Sequence, residues 1–252
     1  MIAAGTSGHV LALRGIGKRY GAVEALTGAD LDVAQGDVLG ICGDNGAGKS
    51  TLIRIVSGAQ EPSGGEMKVN GVAVRFRSPH DAYAAGIATI YQDLALSPRL
   101  AIWKNVFLGA ERTRFGMLDK ARMRTDAASY MARLGVSISD MDAPVANLSG
   151  GQRQAVAISR ALRWNAELIV MDEPTAALGV KETAQVLDLI RRLKADGKTI
   201  ILVSHNMADV VAVASRVAIL KSGRKVIDRA VAGLDADTLA HMVMTGKDSA
   251  AN

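Results

Sequence analysis

The sequence predicts an α/β fold: a mainly parallel sheet with crossover helices, joined to an antiparallel β subdomain and interrupted by an inserted α-helical subdomain. Three observations predict it. Short apolar runs alternate with helix-like segments before residue 60 and again after residue 165, which is the pattern of strand–helix–strand units. Asn70-Gly71 sits between alternating residues and signals a hairpin. From residue 93 to about residue 165 the strand signals fade and helical texture takes over.

Residues 10–13 and 29–33 are short, partly alternating segments that read as strands. Residues 37–42 form a compact apolar run that enters a glycine-rich loop, so they read as a buried strand, and residues 50–56 open a helix. Residues 67–74 form the hairpin. Residues 103–108, 120–134 and 149–163 are helix-like. Alternation then returns, with strands at 168–171, 199–203 and 217–220 and helices at 181–194 and 206–214. Gly197 stands where a helix C-terminal cap belongs. The chain from Lys247 is expected to fray. There is no internal repeat and no low-complexity tract.

Composition narrows the function. The 252 residues are 49% apolar, enough for a substantial core. Two Trp, four Tyr and three Phe leave little aromatic surface on which bases could stack. The net charge of +5 is spread among interspersed acids and bases; it reads as a solvated basic surface, or as attraction to phosphates or an anionic membrane face. Cys42 is the single cysteine, which excludes an internal disulfide and a thiolate zinc site and suits a reducing compartment. No signal peptide is read at the N-terminus. No run approaches the roughly 18 apolar residues of a membrane span, so work at a membrane would go through a partner.

Two motifs carry chemistry. Gly43-Asp44-Asn45-Gly46-Ala47-Gly48-Lys49-Ser50 fits the G-x-x-x-x-G-K-[ST] phosphate loop, with Thr51 following. Glycines let successive N–H groups curl towards phosphate oxygens, and the helix opening at Ser50 adds its positive end. Lys49 would reach the β- and γ-phosphates, and the Ser50 hydroxyl would ligate Mg²⁺. The second motif is an apolar strand ending in Asp172-Glu173. In a parallel sheet its end lies beside the loop. Asp172 would hold Mg²⁺ through water, and Glu173 would orient or deprotonate the attacking water. A nucleotide triphosphate and Mg²⁺ are the ligands this pairing predicts, on a P-loop NTPase-type sheet.

Leu148-Ser149-Gly150-Gly151-Gln152 begins a helical segment some twenty residues before the acid pair. It resembles the signature motif of ATP-binding cassette (ABC) proteins, and the resemblance covers nearly the whole chain. Tyr20 matches the aromatic that stacks on adenine, Gln92 the glutamine at the edge of the helical subdomain, and His205 the switch histidine that meets the γ-phosphate and Glu173. Taken alone, these three are a core or edge aromatic, a loop residue and a surface histidine; their order along the chain is what gives them meaning. The resemblance implies a RecA-like ATP-binding core at 8–92 and 166–246, a helical signature subdomain at 93–165 and a tail at 247–252. It also implies two copies that sandwich ATP between the loop of one and residues 149–152 of the other. Ser149 and Gly150 are expected to receive the anion, with Gly151 and Gln152 beside them, and Gln92 is expected to act in both catalysis and metal binding. Where the family usually reads Ala-Leu-Asp, this chain has Ala177-Leu178-Gly179, so an aspartate that commonly couples the two sites is missing.

Residues 81–88 with Tyr91-Gln92, and residues 105–111, 174–181 and 204–209, resemble the fructose/ribose/xylose branch of bacterial sugar importers. That implies an ATPase subunit on the inner face of the cell membrane, under integral membrane permease subunits fed by a periplasmic sugar-binding protein. A soluble cassette ATPase acting on nucleic acid or ribosomes is the alternative. Neighbouring genes for a permease and a binding protein discriminate between them. Trp103 and Phe107, four residues apart, share a helix face that belongs either to the core or to a partner contact.

Overall fold

The computed structural model, which describes residues 8–248, begins with two long antiparallel strands, β1 (His9–Tyr20) and β2 (Val23–Ala34). Sequence periodicity marks only parts of them. Register shifts at Leu13/Ile16 and Ile16/Lys18 interrupt the two-residue alternation that would announce a strand. β3 (Val38–Cys42) is buried at every position and runs into the loop before α1 (Lys49–Val56). β4 (Gly64–Val69) and β5 (Val72–Val74) form the expected hairpin. Asn70 and Gly71 between them have φ of 49° and 77°, the doubly left-handed geometry of a tight hairpin turn. β4 also pairs with β1, which completes an antiparallel sheet ordered β2-β1-β4-β5.

α2 (Pro79–Ala84) and β6 (Ile87–Ile90) were not legible in the sequence. Both are short, and β6 acquires its strand character only by pairing with a segment some eighty residues later. Then come α3 (Ile102–Phe107), the small hairpin β7 (Thr113–Arg114) and β8 (Met117–Leu118), α4 (Lys120–Arg133) and α5 (Gly150–Arg163). Met123, Ala127 and Met131 of α4 close with Ala155, Ile158 and Leu162 of α5 on Val106 and Phe107 of α3. Trp103 and Phe107 are 3% and 1% exposed, so their shared face is core. The Trp103 indole N–H still finds an acceptor, Asp142 Oδ1 at 2.8 Å.

The remainder alternates: β9 (Leu168–Asp172), α6 (Val180–Ala195), β10 (Thr199–Val203), α7 (Met207–Val213), β11 (Arg216–Lys221), β12 (Arg224–Ala230) and α8 (Ala236–Thr245). The second sheet is ordered β12-β11-β3-β10-β9-β6 and is parallel except for β12. Its central strands are apolar on both faces, as a covered parallel sheet requires. Ile169, Met171, Ile200 and Leu202 meet the cluster containing α3 to α6. Leu168, Val170, Ile201 and Val203 meet α1 and the antiparallel sheet. Gly197 follows the C-cap of α6, where the sequence puts it. β12 escaped the sequence reading because it is an edge strand in which Ile227 alone is buried.

Residues 1–7, read as free of a signal peptide, and residues 249–252 of the expected tail lie outside the described residues. Asp248, at the start of that tail, is paired with Arg229. Among the described residues no helix is long and apolar enough to cross a membrane.

Replacing Phe107 by Ala is expected to lower unfolding stability by about 3–5 kcal/mol in urea denaturation. A loss under about 1 kcal/mol would show that this face is not load-carrying core.

Candidate active site

The carboxyl ends of β3, β10 and β9 lie side by side, and three loops leave the sheet there. The loop after β3 is shaped by close approach. A Cβ on Gly43 would fall 2.4 Å from the Leu220 carbonyl oxygen, and one on Gly48, where φ is 104°, would fall 2.7 Å from that of Ala25. Only glycine fits either place. The loop ends at the N-terminus of α1, whose first N–H groups have no helical carbonyl to meet and carry partial positive charge. The Lys49 side chain is buried along this loop, its ammonium donating to the carbonyls of Gly43 and Asp44.

A cleft of about 390 Å³ opens over the loop. Asn45, Gly46, Ala47, Gly48, Lys49, Ser50 and Thr51 line it with Gln92, Asp172 and Glu173, so most of the sequence-predicted residues meet in one place. Val23, Glu24 and Ala25 also line it. Sequence reasoning missed these three, because nothing in the start of an exposed strand marks a site. Tyr20 is not among the lining residues. It ends β1 half exposed, with its hydroxyl on Gln60 and the Lys18 ammonium 5.4 Å from its ring centre.

Asp172 is the last residue of β9, and Glu173 begins the turn with φ of 53°. A left-handed non-glycine residue costs about 1–2 kcal/mol. Here it is held by bonds on both sides: Glu173 N–H donates to Val203 O at 2.9 Å, and Ala176 N–H donates to Glu173 O at 3.1 Å. His205 follows β10 and precedes α7, whose cap Asn206 accepts from the N–H groups of Ala208 and Asp209. The His205 Nδ1 is hydrogen-bonded to Glu173 Oε2. A further tie joins the turn after β9 to the first turn of α7, Thr175 Oγ1 donating to Asp209 Oδ2 at 2.7 Å.

Burial pushes the Asp172 carboxyl above its ordinary pKa, and the neighbouring Glu173 charge adds to the rise; Lys49 and Arg54 oppose it. Asp172, the Ser50 hydroxyl and the Gln92 amide border one cleft and supply hard oxygen donors, which fit Mg²⁺. Among the described residues no group of three or more His, Cys, Asp or Glu forms a metal site. An ion held by these residues would leave coordination positions for phosphate oxygens and water. Cys42, just behind the loop, is fully buried, and burial pushes its thiol up to about 12 against the opposing charge of Lys49. It is an inert core residue on a fully buried strand.

The turn at residues 149–152 stands apart from this cleft. Ser149 Oγ caps α5 by accepting from Gln152 N–H at 3.3 Å, and Gln152 Oε1 accepts from Ser149 N–H at 3.0 Å. Gly150 N–H donates to Glu182 Oε1 at 2.7 Å. The sequence leaves Gly150 N–H open to an anion; in the fold it is occupied from within the chain. Among the described residues Gly151 N–H has no acceptor, so it and the Ser149 hydroxyl are the donors left at this helix start. Gly150 and Gln92 border a second opening of about 340 Å³, shared with Ala176, Ala177 and Leu178. Gln92 thus touches both spaces.

What the main cleft can do follows from its charges. It offers helix-start N–H groups and the Lys49 ammonium at one end and two carboxylates at the other, on the carboxyl edge of a parallel sheet, an arrangement that suits binding and hydrolysing a nucleotide. The family model described as ABC transporter matches residues 26–176, and the chain belongs to that family. It is 47% identical over 224 residues to the fructose import ATP-binding protein FrcA of Rhizobium meliloti, covering 86% of each chain. It is 46% identical to the xylose/arabinose import ATP-binding protein XylG of Sulfolobus acidocaldarius, covering 85% of this chain and 86% of that one. Identity to the ribose import ATP-binding protein RbsA 2 of Burkholderia ambifaria is 41%, over 93% of this chain and 46% of the relative, so the chain spans about half of that protein. A solved ATP-binding cassette of an ABC transporter in its ADP conformation superposes with a TM-score of 0.82 at 25% identity, covering 96% of this chain and all of that one. A dimeric cassette in a post-hydrolysis state bound to ADP and Pi gives 0.74 at 26% identity, over 89% of this chain and 100% of that one.

The raised Asp172 pKa has a definite sign in stability. The folded state holds this proton more tightly than the unfolded state does, so the contribution is full below the ordinary carboxylate value and falls as pH rises through the folded pKa. At neutral pH the ionised Asp172 therefore costs stability in the nucleotide-free protein. Asp172→Asn is expected to melt higher than the parent at pH 7, with the gap closing towards pH 4. An equal or lower Tm at pH 7 would contradict this.

Proposed function

We propose that this chain is the ATP-hydrolysing subunit of a bacterial monosaccharide importer of the fructose, ribose or xylose type. It works as a homodimer on the cytoplasmic face of the membrane, under integral membrane permease subunits that a periplasmic sugar-binding protein supplies. The sugar class rests on the import proteins that it resembles along most of its length. One observation carries the dimer: the 149–152 turn, with donors to spare, does not line its own chain's phosphate cleft. No nucleic-acid partner enters this reading.

In this mechanism the 43–48 loop and the N-terminus of α1 bind the triphosphate, and Lys49 turns its ammonium from the loop carbonyls to the β- and γ-phosphates. Tyr20 stacks on the adenine at the mouth of the cleft. Ser50, Asp172 and Gln92 hold Mg²⁺, which when bound neutralises charge on the phosphates. His205 steadies the Glu173 carboxylate, which takes a proton as water attacks the γ-phosphorus. The bond from that phosphorus to the β-bridging oxygen breaks, leaving ADP and phosphate. The second copy contributes its Ser149 hydroxyl and Gly151 N–H to the γ-phosphate, with Gly150 and Gln152 shaping the turn. ATP then holds two chains together, and hydrolysis removes the bridging group. Residues 93–165 act as the helical unit that carries the turn, against a core made of 8–92 and 166–246, with 247–252 as a tail.

Lys49→Ala removes a charge-assisted contact and is expected to weaken ATP binding by about 10–100-fold in calorimetry; unchanged affinity would refute its role. Glu173→Gln leaves the binding contacts and removes the base. Turnover is expected to fall on the order of 10²–10⁴-fold while an ATP-loaded dimer accumulates on size-exclusion chromatography. A variant that stays monomeric with Mg-ATP would sink the dimer mechanism.

A further inference from the structure

We infer that Glu182 is a positioning residue for the ATP-dependent contact between two copies of this chain, tying the 149–152 turn to the loop that follows Glu173. This rests on the homodimer reading above and adds a part to it.

The observation is one carboxylate shared by the N-termini of two helices. Glu182 Oε2 accepts from Gly179 N–H at 3.4 Å, at the N-cap of its own helix α6. Its other oxygen, Oε1, accepts from Gly150 N–H at 2.7 Å, at the start of α5. The first bond is an ordinary local cap. The second spans 32 residues and crosses between helices. Both helix dipoles favour a negative charge at that point.

The contact leaves little slack. A Cβ on Gly150 would fall 2.5 Å from Leu178 Cδ2 and 3.0 Å from Glu182 Oε1, and one on Gly151 would fall 2.6 Å from Gln185 Oε1. α5 is fastened to the same loop a second time, Gln154 Nε2 donating to Pro174 O at 2.7 Å. That loop runs from Glu173, with φ of 53°, past Ala177, with φ of 59°. The base and the turn destined for the partner's nucleotide are therefore mechanically joined. Gly179 brings no side chain to the junction, so Glu182 provides the carboxylate there. By occupying Gly150 N–H it also decides which donors of the turn stay open, namely Gly151 N–H and the Ser149 hydroxyl.

The test compares Glu182→Ala, Glu182→Gln and Glu182→Asp in the Glu173→Gln background. ATP binding to the monomer is read by calorimetry, and ATP-driven dimerisation by analytical ultracentrifugation with Mg-ATP. Glu182→Ala is expected to weaken dimerisation on the order of tenfold or more while monomer affinity for ATP stays within about twofold, since the phosphate cleft is untouched. Glu182→Gln, which keeps an acceptor for Gly150, is expected to recover most of the loss. Glu182→Asp, whose shorter reach cannot serve both N–H groups, is expected to fall between and keeps the test open if the Ala variant does not fold. Dimerisation of all three as tight as the parent overturns the inference. So does a parallel loss of monomer ATP affinity and thermal stability, which marks a folding role alone. If the Glu173→Gln parent itself does not dimerise, the homodimer reading fails first and takes this inference with it.

Discussion

The pairing of β9 with β10 is the constraint on which the site depends. Asp172 lies opposite Val203 in a parallel register, and the Val203 carbonyl receives the N–H of Glu173 one residue later. A slip of one residue would exchange the buried faces of both strands. It would also pull the acid pair away from the phosphate loop and from His205. The register is in turn held by apolar packing on both faces, through Ile169 and Met171 on one side and Leu168 and Val170 on the other. The placement of the acid pair beside the loop and His205 is thus a by-product of core burial. A left-handed Glu173 is tolerated because the strands beneath it cannot move.

The cleft is built against its own stability in the empty state. It collects two adjacent, partly buried carboxylates, and at Asp172 the charges of Lys49 and Arg54 only oppose the rise in pKa. Lys49 meanwhile spends its ammonium on loop carbonyls. Under the proposed function a bound polyphosphate would give Lys49 an anionic partner in place of neutral carbonyls, so ligand binding would add stability to the folded state. At the start of α5 the Gly150 and Gln152 N–H groups are satisfied internally, while among the described residues that of Gly151 has no acceptor.

Much of this was legible in the sequence where chemistry is local. The phosphate loop, the Asp172-Glu173 strand end and the Asn70-Gly71 turn each announce themselves within a few residues. Features made by distant pairing stayed hidden. β6 is four residues long and needs β9 beside it, the bulges in β1 scramble its alternation, and β12 is polar because it is an edge. In the site, Val23 to Ala25 carry no chemical signature and line the cleft only because β2 passes over the loop. Glu182 looks like an ordinary helix-start acid. Its bond to Gly150 emerges only when α5 and α6 are packed.

β12 has a consequence of another kind. It closes one side of the parallel sheet with an antiparallel strand bearing Arg224, Lys225 and Arg229, and its Asp228 is engaged by Arg216 and Lys225. A bare parallel edge would invite unlimited strand addition from other molecules; a cationic, internally bonded one repels it. That side of the sheet is therefore guarded against strand addition by other molecules, and β6 is left as the edge on the opposite side.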